Sequence, residues 1–393
     1  LNNKYDAWTI DNNGFQTQSD FQGYDIHKSD ATSLKTIYKE NNSKITSITS
    51  YSENDITYSY DGDWGNTDFW EEEPYNWDPN IGNYDWYFPD ITQRKKNFFS
   101  QELRFDSRNS LIGFYGSRIK ESDERFGYFF SGDWDDMLSI FEIVNSSLFI
   151  KQKIFVTKNT NLKLSARYDS YKTQDNLYYR SSYYGGNYVN EILKINDQNI
   201  GWTILLESKL TKHINTSLSI SKGYKTAGIN QSPNFTNFRY YSSEQSINTE
   251  VGVVYLNENI KIKSSIFYMH RDNPQLRLFI QNNINYPTYF DYATFNGHKS
   301  YLYGLESDIK LKISNIQSFQ YTFSLLKNHL GTFYFDEDND GNNEKFGDRE
   351  GAHSPKISLS IKSKTKLTTN IDLNLDFNYK DKFYFDEQNN HKS

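Results

Sequence analysis

Aromatic and acidic side chains that lie between strand-like segments are the residues of this sequence best suited to bind a ligand. Residues 61–88 contain four of the seven tryptophans together with several carboxylates. Flat aromatic faces bind sugars, catecholates and cations, and the same rings equally pack a loop onto itself or seat it at a membrane interface. Both interpretations stay open for the candidate ligand-binding set of Trp64, Trp70, Trp77, Trp86 and Tyr87.

A second aromatic patch lies in residues 178–188, which contain five tyrosines. Tyr178 and Tyr179 are followed by Tyr183 and Tyr184, and then by Tyr188. The same two interpretations apply, ligand capture or packing of the loop. Tyr183 and Tyr184 are the candidate ligand-binding residues of this patch.

One acidic segment begins like a calcium-binding loop. Asp336, Asp338 and Asp340 precede Gly341 in the pattern Asp-x-Asp-x-Asp-Gly. The twelfth position of such a loop carries a bidentate Glu, but here it is Gly347. The sequence therefore leaves two interpretations, a weak Ca²⁺ site and a solvated acidic loop, and it predicts no other cofactor.

No arrangement of residues in this sequence predicts catalysis or nucleic-acid binding. The seven histidines are scattered without an HExxH pair, and the GxSxG, P-loop and GxGxxG patterns do not occur. The net charge is -7, and lysines alternate with carboxylates instead of clustering into a basic surface. We therefore predict that the protein is not an enzyme and does not bind nucleic acid.

Hydrophobic side chains recur with a period of two over long segments. Alternation of apolar and polar residues is clearest in residues 162–169, 303–312 and 371–380. A period of two over nine or ten residues predicts a strand with one apolar and one polar face. Strands of soluble sandwiches and propellers usually have only about five or six residues, whereas strands of about ten residues are typical of transmembrane barrels.

Composition also favours a barrel with a wet interior. The chain has 393 residues, 32 tyrosines and 28 phenylalanines, yet its mean hydropathy is -0.82. No run of about 18 apolar residues occurs, so the sequence predicts no transmembrane helix. The predicted fold class is all-β, a transmembrane antiparallel up-and-down β-barrel, with a large soluble β-protein as the alternative.

Turn residues divide the chain into about fourteen strands. The first predicted hairpin has Asn41 and Asn42 at its turn, after one further strand-like segment at 15–24. Short turns and long loops then alternate, which in bacterial barrels places the turns in the periplasm and the loops outside the cell. Predicted short turns are 106–110, 158–161, 211–215, 257–259, 314–317 and 368–370; predicted long loops are 61–96, 127–145, 175–199, 231–245, 281–299 and 334–354.

An ordered set of motifs resembles the TonB-dependent outer-membrane receptor family. Gly-Tyr-Lys at 223–225, Glu-Val-Gly at 250–252, Ile-Phe-Tyr with Asp-Asn-Pro-Gln at 266–275, and Gly-Leu-Glu at 304–306 follow one another as in the conserved strands of that family. Phe-Ser-Gln-Glu-Leu-Arg at 99–104 resembles a further strand of the family. Each motif alone is weak, and their order is the specific feature.

This resemblance implies a fold and a function. Family barrels have 22 strands after an N-terminal plug, so residues 1–393 are expected to be a partial barrel domain without the plug and the final strands. Lys225, Glu250 and Glu306, which lie in the motifs, are candidate plug or lumen contacts.

The expected function is uptake of a scarce, bulky ligand, such as a ferric siderophore, across the outer membrane of a Gram-negative bacterium. The expected partners are outer-membrane lipid, the iron–siderophore or similar ligand, and the TonB–ExbB–ExbD energy-coupling complex acting through the plug. A passive porin and a secreted carbohydrate-binding β-protein are the alternatives.

Overall fold

Nearly all of the ordered elements are strands. The computed structural model describes residues 18–63, 65–73, 76, 87–129, 132–180, 187–232, 238–281, 290–337, 341–388 and 392. In chain order, the elements are β1 Asp25–Glu40, β2 Ser43–Asp61, α1 Thr67–Glu71, β3 Pro89–Asp106, β4 Ser110–Phe129, β5 Gly132–Phe155, β6 Thr160–Arg180, β7 Tyr188–Lys209, β8 Ile214–Lys225, β9 Gly228–Ile229, β10 Tyr240–Tyr241, β11 Glu244–Leu256, β12 Ile260–Asp272, β13 Gln275–Gln281, β14 Phe290–Asn296, β15 Lys299–Lys312, β16 Gln317–Leu330, β17 Phe333–Phe335, β18 Glu344–Phe346, β19 Ile357–Lys366 and β20 Asp372–Lys380.

Fourteen of these strands form one antiparallel sheet in which each pairs with the next along the chain. The order is β1-β2-β3-β4-β5-β6-β7-β8-β11-β12-β15-β16-β19-β20. The predicted all-β fold and its up-and-down connectivity are therefore confirmed, and the number of sheet strands equals the predicted fourteen. The remaining six strands form three small hairpins, β9 with β10, β13 with β14, and β17 with β18.

Local turn chemistry explains the predicted hairpins. Glu40 pairs with Ser43 across Asn41 and Asn42, and Asn41 has a φ of 50°, a conformation that asparagine tolerates better than most residues. The other predicted short turns lie within about two residues of the observed strand ends. Sequence and structure therefore agree at the end of the sheet that carries the short turns.

Two of the predicted long loops are wrong for most of their length. In place of loops at 127–145 and 175–199, β4 continues to Phe129, β5 begins at Gly132, β6 continues to Arg180 and β7 begins at Tyr188. The loop predicted at 61–96 is also too long, because β3 already begins at Pro89. Residues 18–24 of the predicted strand 15–24 are not in a strand.

The 24 residues of β5 reach about 80 Å at about 3.4 Å each, so strands extend well beyond a bilayer core of about 30 Å. The parts of the strands that extend beyond the membrane lie in water and stay paired without an apolar face. Their sequence therefore lacks the alternation of apolar and polar residues from which a strand is predicted.

The sheet has one apolar face with large exposed side chains. Cross-strand pairs on this face are Phe114 with Leu148, Leu148 with Tyr168, Tyr168 with Ile200, Ile204 with Ile220, Leu218 with Val251, Val251 with Ile266, Ile266 with Leu305, Leu305 with Leu325, and Leu325 with Ile357. Leu148 is 59% exposed and Ile266 is 64% exposed. We call this continuous row the apolar belt. Apolar side chains that avoid the protein interior and join into one band are typical of a lipid-facing surface.

The opposite face is polar and concave. Arg94 donates from Nε to Asp123 Oδ2 at 3.0 Å, and Arg125 donates from Nη2 to Asp90 Oδ2 at 2.7 Å. Because side chains alternate between the two faces of a strand, these pairs lie opposite the apolar belt. No described helix is long and apolar enough to cross a membrane, since α1 has five residues.

Glycine in one family motif makes room for an aromatic ring on this polar face. A Cβ at Gly304 would lie 2.3 Å from the backbone oxygen of Leu325 and 3.0 Å from Cζ of Phe267. Phe267 pairs directly with Gly304 across β12 and β15. An aromatic ring that covers a neighbouring glycine restores the packing that the glycine lacks.

The hydrophobic core of the described residues lies among the loops rather than within the sheet. We call this cluster the loop core; it consists of Leu276, Leu278, Ile280, Ala293, Leu330, Phe333 and Phe335, with Phe238, Phe295 and Phe346 packed against it. The loops after β8, β12 and β16 supply nearly all of these side chains. Gln388, which follows β20, donates from Nε2 to the backbone oxygen of Phe279 at 2.9 Å and accepts from its N–H at 2.7 Å. The four loops therefore form one folded unit at one end of the sheet.

Candidate functional site

The long-loop end of the sheet and its concave face together form the candidate functional site. Of the predicted loop aromatics, Trp64, Trp77, Trp86, Tyr183 and Tyr184 are outside the described residues. Trp70 and Tyr87 are the members of the predicted set that the structure describes.

Both of these aromatic side chains pack against other aromatic rings of the protein. Trp70 lies in α1, with its ring centroid 5.1 Å from that of Phe69 in an edge-to-face arrangement. Tyr87 lies 5.9 Å from Phe21 and 6.1 Å from Tyr128, measured between ring centroids. These contacts favour the packing interpretation for Trp70 and Tyr87, and ligand binding by the predicted aromatic set stays a prediction.

The second aromatic patch is divided between the two faces of the sheet. Tyr178 and Tyr188 stack with ring centroids 4.8 Å apart and an interplanar angle of 7°, and the guanidinium carbon of Arg180 lies 5.1 Å from the Tyr188 ring centroid. Tyr178 is ten residues from Tyr168, so it lies on the face of the apolar belt. Tyr179 faces the other way, with the guanidinium carbon of Arg239 5.8 Å from its ring centroid. Among the three tyrosines of this patch that the structure describes, Tyr179 alone is therefore placed towards the concave face.

Among the predicted lumen contacts, Glu250 and Glu306 are brought together. They line one shallow, open concavity of about 470 Å³ on the polar face of the sheet, with Ser265 and Asp308 among its other lining residues. Ser265 pairs directly with Glu306 across β12 and β15. A wall of carboxylates and hydroxyls can accept hydrogen bonds from another element or bind its cationic side chains. Contact with a plug stays a prediction.

Lys225, the third predicted contact, belongs to a separate group at the loop end of the sheet. Its Nζ lies 3.2 Å from Oε2 of Glu244, a side chain that is 6% exposed. Arg271 donates to the same carboxylate from Nε at 2.7 Å and from Nη2 at 2.9 Å, and the backbone N–H of Gln275 donates to it at 2.8 Å. Glu244 thus connects β8, β11 and β12 to the start of the β13–β14 hairpin, which carries much of the loop core.

A second polar group on the concave face connects strands that are not neighbours. Arg167 donates from Nε to Asp169 Oδ2 at 2.7 Å and from Nη2 to Ser147 Oγ at 2.7 Å. The Tyr224 hydroxyl also donates to Asp169, which is fully buried. Tyr224 reaches this carboxylate from β8 across β7, where a Cβ at Gly201 would lie 3.1 Å from its ring. The sequence alone does not reveal this group because its members are up to 77 residues apart.

The predicted calcium loop is only partly within the described residues. Asp336 accepts a hydrogen bond from the backbone N–H of Gly341 at 3.0 Å, and Gly341 has a φ of 90°. Asp338 and Asp340 lie outside the described residues. The residues that are described contain no group of three or more His, Cys, Asp or Glu side chains placed to hold a metal. Calcium binding at this loop therefore stays a prediction.

Comparison with known proteins gives one family and a consistent set of folds. A family profile described as "TonB dependent receptor-like, beta-barrel" matches residues 1–393. No curated protein sequence matches the chain significantly.

Solved structures with a similar fold are receptors and transporters. The ferric yersiniabactin uptake receptor FyuA of Yersinia pestis has a TM-score of 0.71 at 15% identity, over 94% of this chain and 52% of its own. The siderophore receptor PiuA of Acinetobacter baumannii has a TM-score of 0.64 at 14% identity, over 94% and 58%. The copper transporter OprC has a TM-score of 0.61 at 11% identity, over 86% and 50%. This chain thus spans about half the length of the structures that it resembles, and at these identities the likeness concerns the fold alone.

Proposed function

Because this chain belongs to the TonB-dependent receptor-like β-barrel family, a family of transport receptors and not of enzymes, we propose that it forms part of the wall of an outer-membrane receptor in a Gram-negative bacterium. The complete receptor takes up a scarce, bulky ligand, and the TonB–ExbB–ExbD complex supplies the energy through a plug inside the barrel. The ligand that we propose is a ferric siderophore or a related iron complex.

The observation that carries this proposal is the two-faced sheet with folded loops at one end. The apolar belt matches the requirement of strands in hydrocarbon, while the concave polar face suits a wet lumen. A passive pore needs no elaborate structure at its opening, whereas the loops after β8, β12 and β16 here enclose a hydrophobic core of their own. Folded loops at the end of the sheet therefore favour selective capture of a ligand over unselective diffusion.

Iron complexes are the most direct choice of ligand. FyuA is named as a ferric yersiniabactin uptake receptor and PiuA as a siderophore receptor, although OprC is named as a copper transporter. On the concave face, Tyr179 and Arg239 lie together near the loop end of the sheet. The Arg239 guanidinium is 7% exposed and donates from Nη2 to Glu191 Oε2 at 2.8 Å, so its charge is already balanced and the proposed ligand rests on the structural relatives.

Uptake of radioactive iron by iron-starved cells tests the proposal. Cells that express the complete protein should accumulate iron supplied as one member of a siderophore panel, and deletion of the gene should reduce accumulation to background. Removal of TonB should have the same effect, because the barrel itself supplies no energy. Uptake of small solutes that persists without TonB would support the passive porin, and recovery of the protein in the aqueous phase of a detergent partition would support the secreted carbohydrate-binding alternative.

Orientation in the membrane can be tested by cysteine labelling, since the sequence contains no cysteine. Thr67→Cys, at the exposed start of α1, should react with an impermeant maleimide on intact cells. Asn159→Cys, in the exposed short turn between β5 and β6, should react only after lysis. Labelling of Asn159→Cys on intact cells while Thr67→Cys stays silent would invert the proposed orientation.

A further inference from the structure

Five lysines lie together on the concave face at the short-turn end of the sheet. We call them the lysine patch: Lys261, Lys310, Lys312, Lys362 and Lys364. They line a shallow, open concavity of about 580 Å³ beside the turn between β11 and β12. The carboxylates in its lining are Glu258 and Asp376, so five positive charges face two negative ones. This local excess of positive charge contrasts with the net charge of -7 of the whole chain.

Strand pairing brings these side chains into two adjacent rows. The first row runs across β12, β15, β16 and β19 as Lys261, Lys310, Gln320, Lys362, and the second runs across β15, β16 and β19 as Lys312, Ser318, Lys364. Alternation along the strands places them opposite Ile262 and Ile309 of the apolar face. Neighbouring strands are about 4.8 Å apart, so about 10 Å separates the backbones at Lys310 and Lys362, which flank Gln320. One compact anion can therefore contact lysines from three strands.

No carboxylate of the described residues forms a salt bridge with the lysine patch. The lysines that form salt bridges in this part of the chain are Lys44, Lys96, Lys163, Lys225, Lys356 and Lys392. Asp308, two residues from Lys310 along β15, instead accepts from Gln320 Nε2 at 3.0 Å and from Thr322 Oγ1 at 3.3 Å. Like charges directly opposite each other on neighbouring strands are destabilising, so Lys261 beside Lys310 costs stability that a bound anion would restore.

We propose that the lysine patch is a weak binding site for a multivalent anion, and that this anion is the transported ligand as it leaves the lumen at the periplasmic end. The inference rests on the proposed uptake function, because uptake is what brings a ligand along the concave face to the short-turn end. It narrows the class of ligand to complexes that carry several negative charges, such as polycarboxylates.

The composition of the patch favours a mobile anion over a permanently bound protein surface. Protein interfaces are enriched in arginine and depleted in lysine, whereas the cations that line this concavity are all lysines. An ammonium group is a hydrated point charge on a flexible stem, while a guanidinium group holds a carboxylate in a fixed bidentate geometry. A site that must release its ligand needs attraction without such fixation. The volume also lies within the range of about 300–1,000 Å³ that is typical of small-molecule sites.

Amine labelling of the complete protein in detergent, read by mass spectrometry, tests the site with citrate as the probe. Millimolar citrate should slow acetylation of the lysine patch about fivefold or more, and sodium chloride should remove this protection because exposed charges are screened. Lys158 and Lys212, exposed in the short turns after β5 and β7, should keep their reactivity.

Two double variants show whether the patch itself binds the probe. In Lys310→Gln/Lys362→Gln, citrate should protect the remaining lysines of the patch about tenfold more weakly, since two of five positive charges are lost. Lys158→Gln/Lys212→Gln removes the same charge at the same end of the sheet and should leave the protection unchanged. Both pairs are exposed, so both variants should unfold at the temperature of the original protein.

Two labelling results would overturn the proposal. Equal protection of Lys158 and Lys212 would show that citrate is attracted diffusely to the protein. Slow reaction of the lysine patch both with and without citrate would show that a protein surface covers it permanently, which would assign the patch to a protein partner and not to a small anion.

Iron uptake separates this proposal from the proposed function. With the siderophore panel, Lys310→Gln/Lys362→Gln should take up iron several-fold more slowly than the original protein, while binding of the same iron complex to energy-depleted cells stays unchanged. Equal uptake rates would exclude the role of the patch in release. If the original protein takes up iron from none of the panel, the proposed function fails, and the citrate labelling alone still decides whether the patch binds an anion.

Discussion

An arginine in place of Ile266 should destabilise the membrane-inserted protein by about 2–4 kcal/mol, whereas an arginine at the adjacent Ser265 should cost less than about 1 kcal/mol. Ile266 is 64% exposed and lies in the middle of the apolar belt, paired with Val251 on one side and Leu305 on the other. A guanidinium at that position would lie in hydrocarbon, where it cannot be hydrated.

Ser265 provides a matched control because it differs only in the face that it occupies. It lies on the concave face beside Glu250 and Glu306, where water and carboxylates can accept a new cation. Equilibrium unfolding by urea in lipid vesicles, with the complete protein, measures both changes. If Ser265→Arg were the more damaging of the two, or if both cost the same, the assignment of the apolar face to lipid would be wrong.

The fold could be predicted because the main signal is local. Alternation with a period of two identifies each membrane-crossing strand, and dipeptides such as Asn41-Asn42 mark the tight turns. Where the strands leave the membrane, that signal disappears. Residues 127–145 contain no sustained alternation and are predicted as a loop, yet the backbone continues to pair through β4 and β5. Backbone hydrogen bonds have no sequence code, so these polar extensions are visible only in the structure.

The candidate site could be predicted only in part because its contacts are long-range. The family motif at 223–225 identifies Tyr224 and Lys225 as residues of interest, but it says nothing about their partners. In the structure, Tyr224 donates to Asp169, 55 residues away, and Lys225 lies beside Glu244. The motif glycine at 304 likewise becomes understandable only with Phe267 placed over it. Motif residues are thus explained by packing across strands, and the predicted contact with a plug needs no part in that explanation.

The loop core was invisible to sequence reasoning for a different reason. Its side chains come from three loops, and no one loop has a hydrophobic period of its own. Leu276, Leu278 and Ile280 alternate over only seven residues in β13, which is too short to distinguish a loop hairpin from the end of a strand. Association of the hairpins buries these residues, and the β13–β14 hairpin is in turn held at its base by the charged group around Glu244. We therefore expect the position of the loop core at the end of the sheet to depend on the charged group around Glu244.

Replacement of Glu244 by alanine should release the β13–β14 hairpin from the barrel, with a local cost of about 3 kcal/mol. Arg271 is 20% exposed and donates two hydrogen bonds to the Glu244 carboxylate. Removal of that carboxylate therefore leaves a largely buried guanidinium and the N–H of Gln275 without their acceptor. Loss of one partner of such a pair typically costs about 3–5 kcal/mol, and the partial exposure of Arg271 places the expected value at the lower end. Lys225 contributes little because it is 56% exposed.

Native-state hydrogen exchange on the complete protein measures this effect locally. Amides of β13 and β14 should exchange about 100-fold faster in Glu244→Ala, since a tenfold change corresponds to about 1.4 kcal/mol, while amides in β3 to β6 should stay unchanged. Glu244→Gln keeps the shape and one acceptor oxygen, and should show an intermediate increase. Glu258→Ala, an exposed carboxylate in the short turn at the other end of the sheet, is the control and should change exchange by less than about threefold. Unchanged exchange in the β13–β14 hairpin of Glu244→Ala would mean that the loop core alone holds the hairpin in place and that the charged group around Glu244 is dispensable.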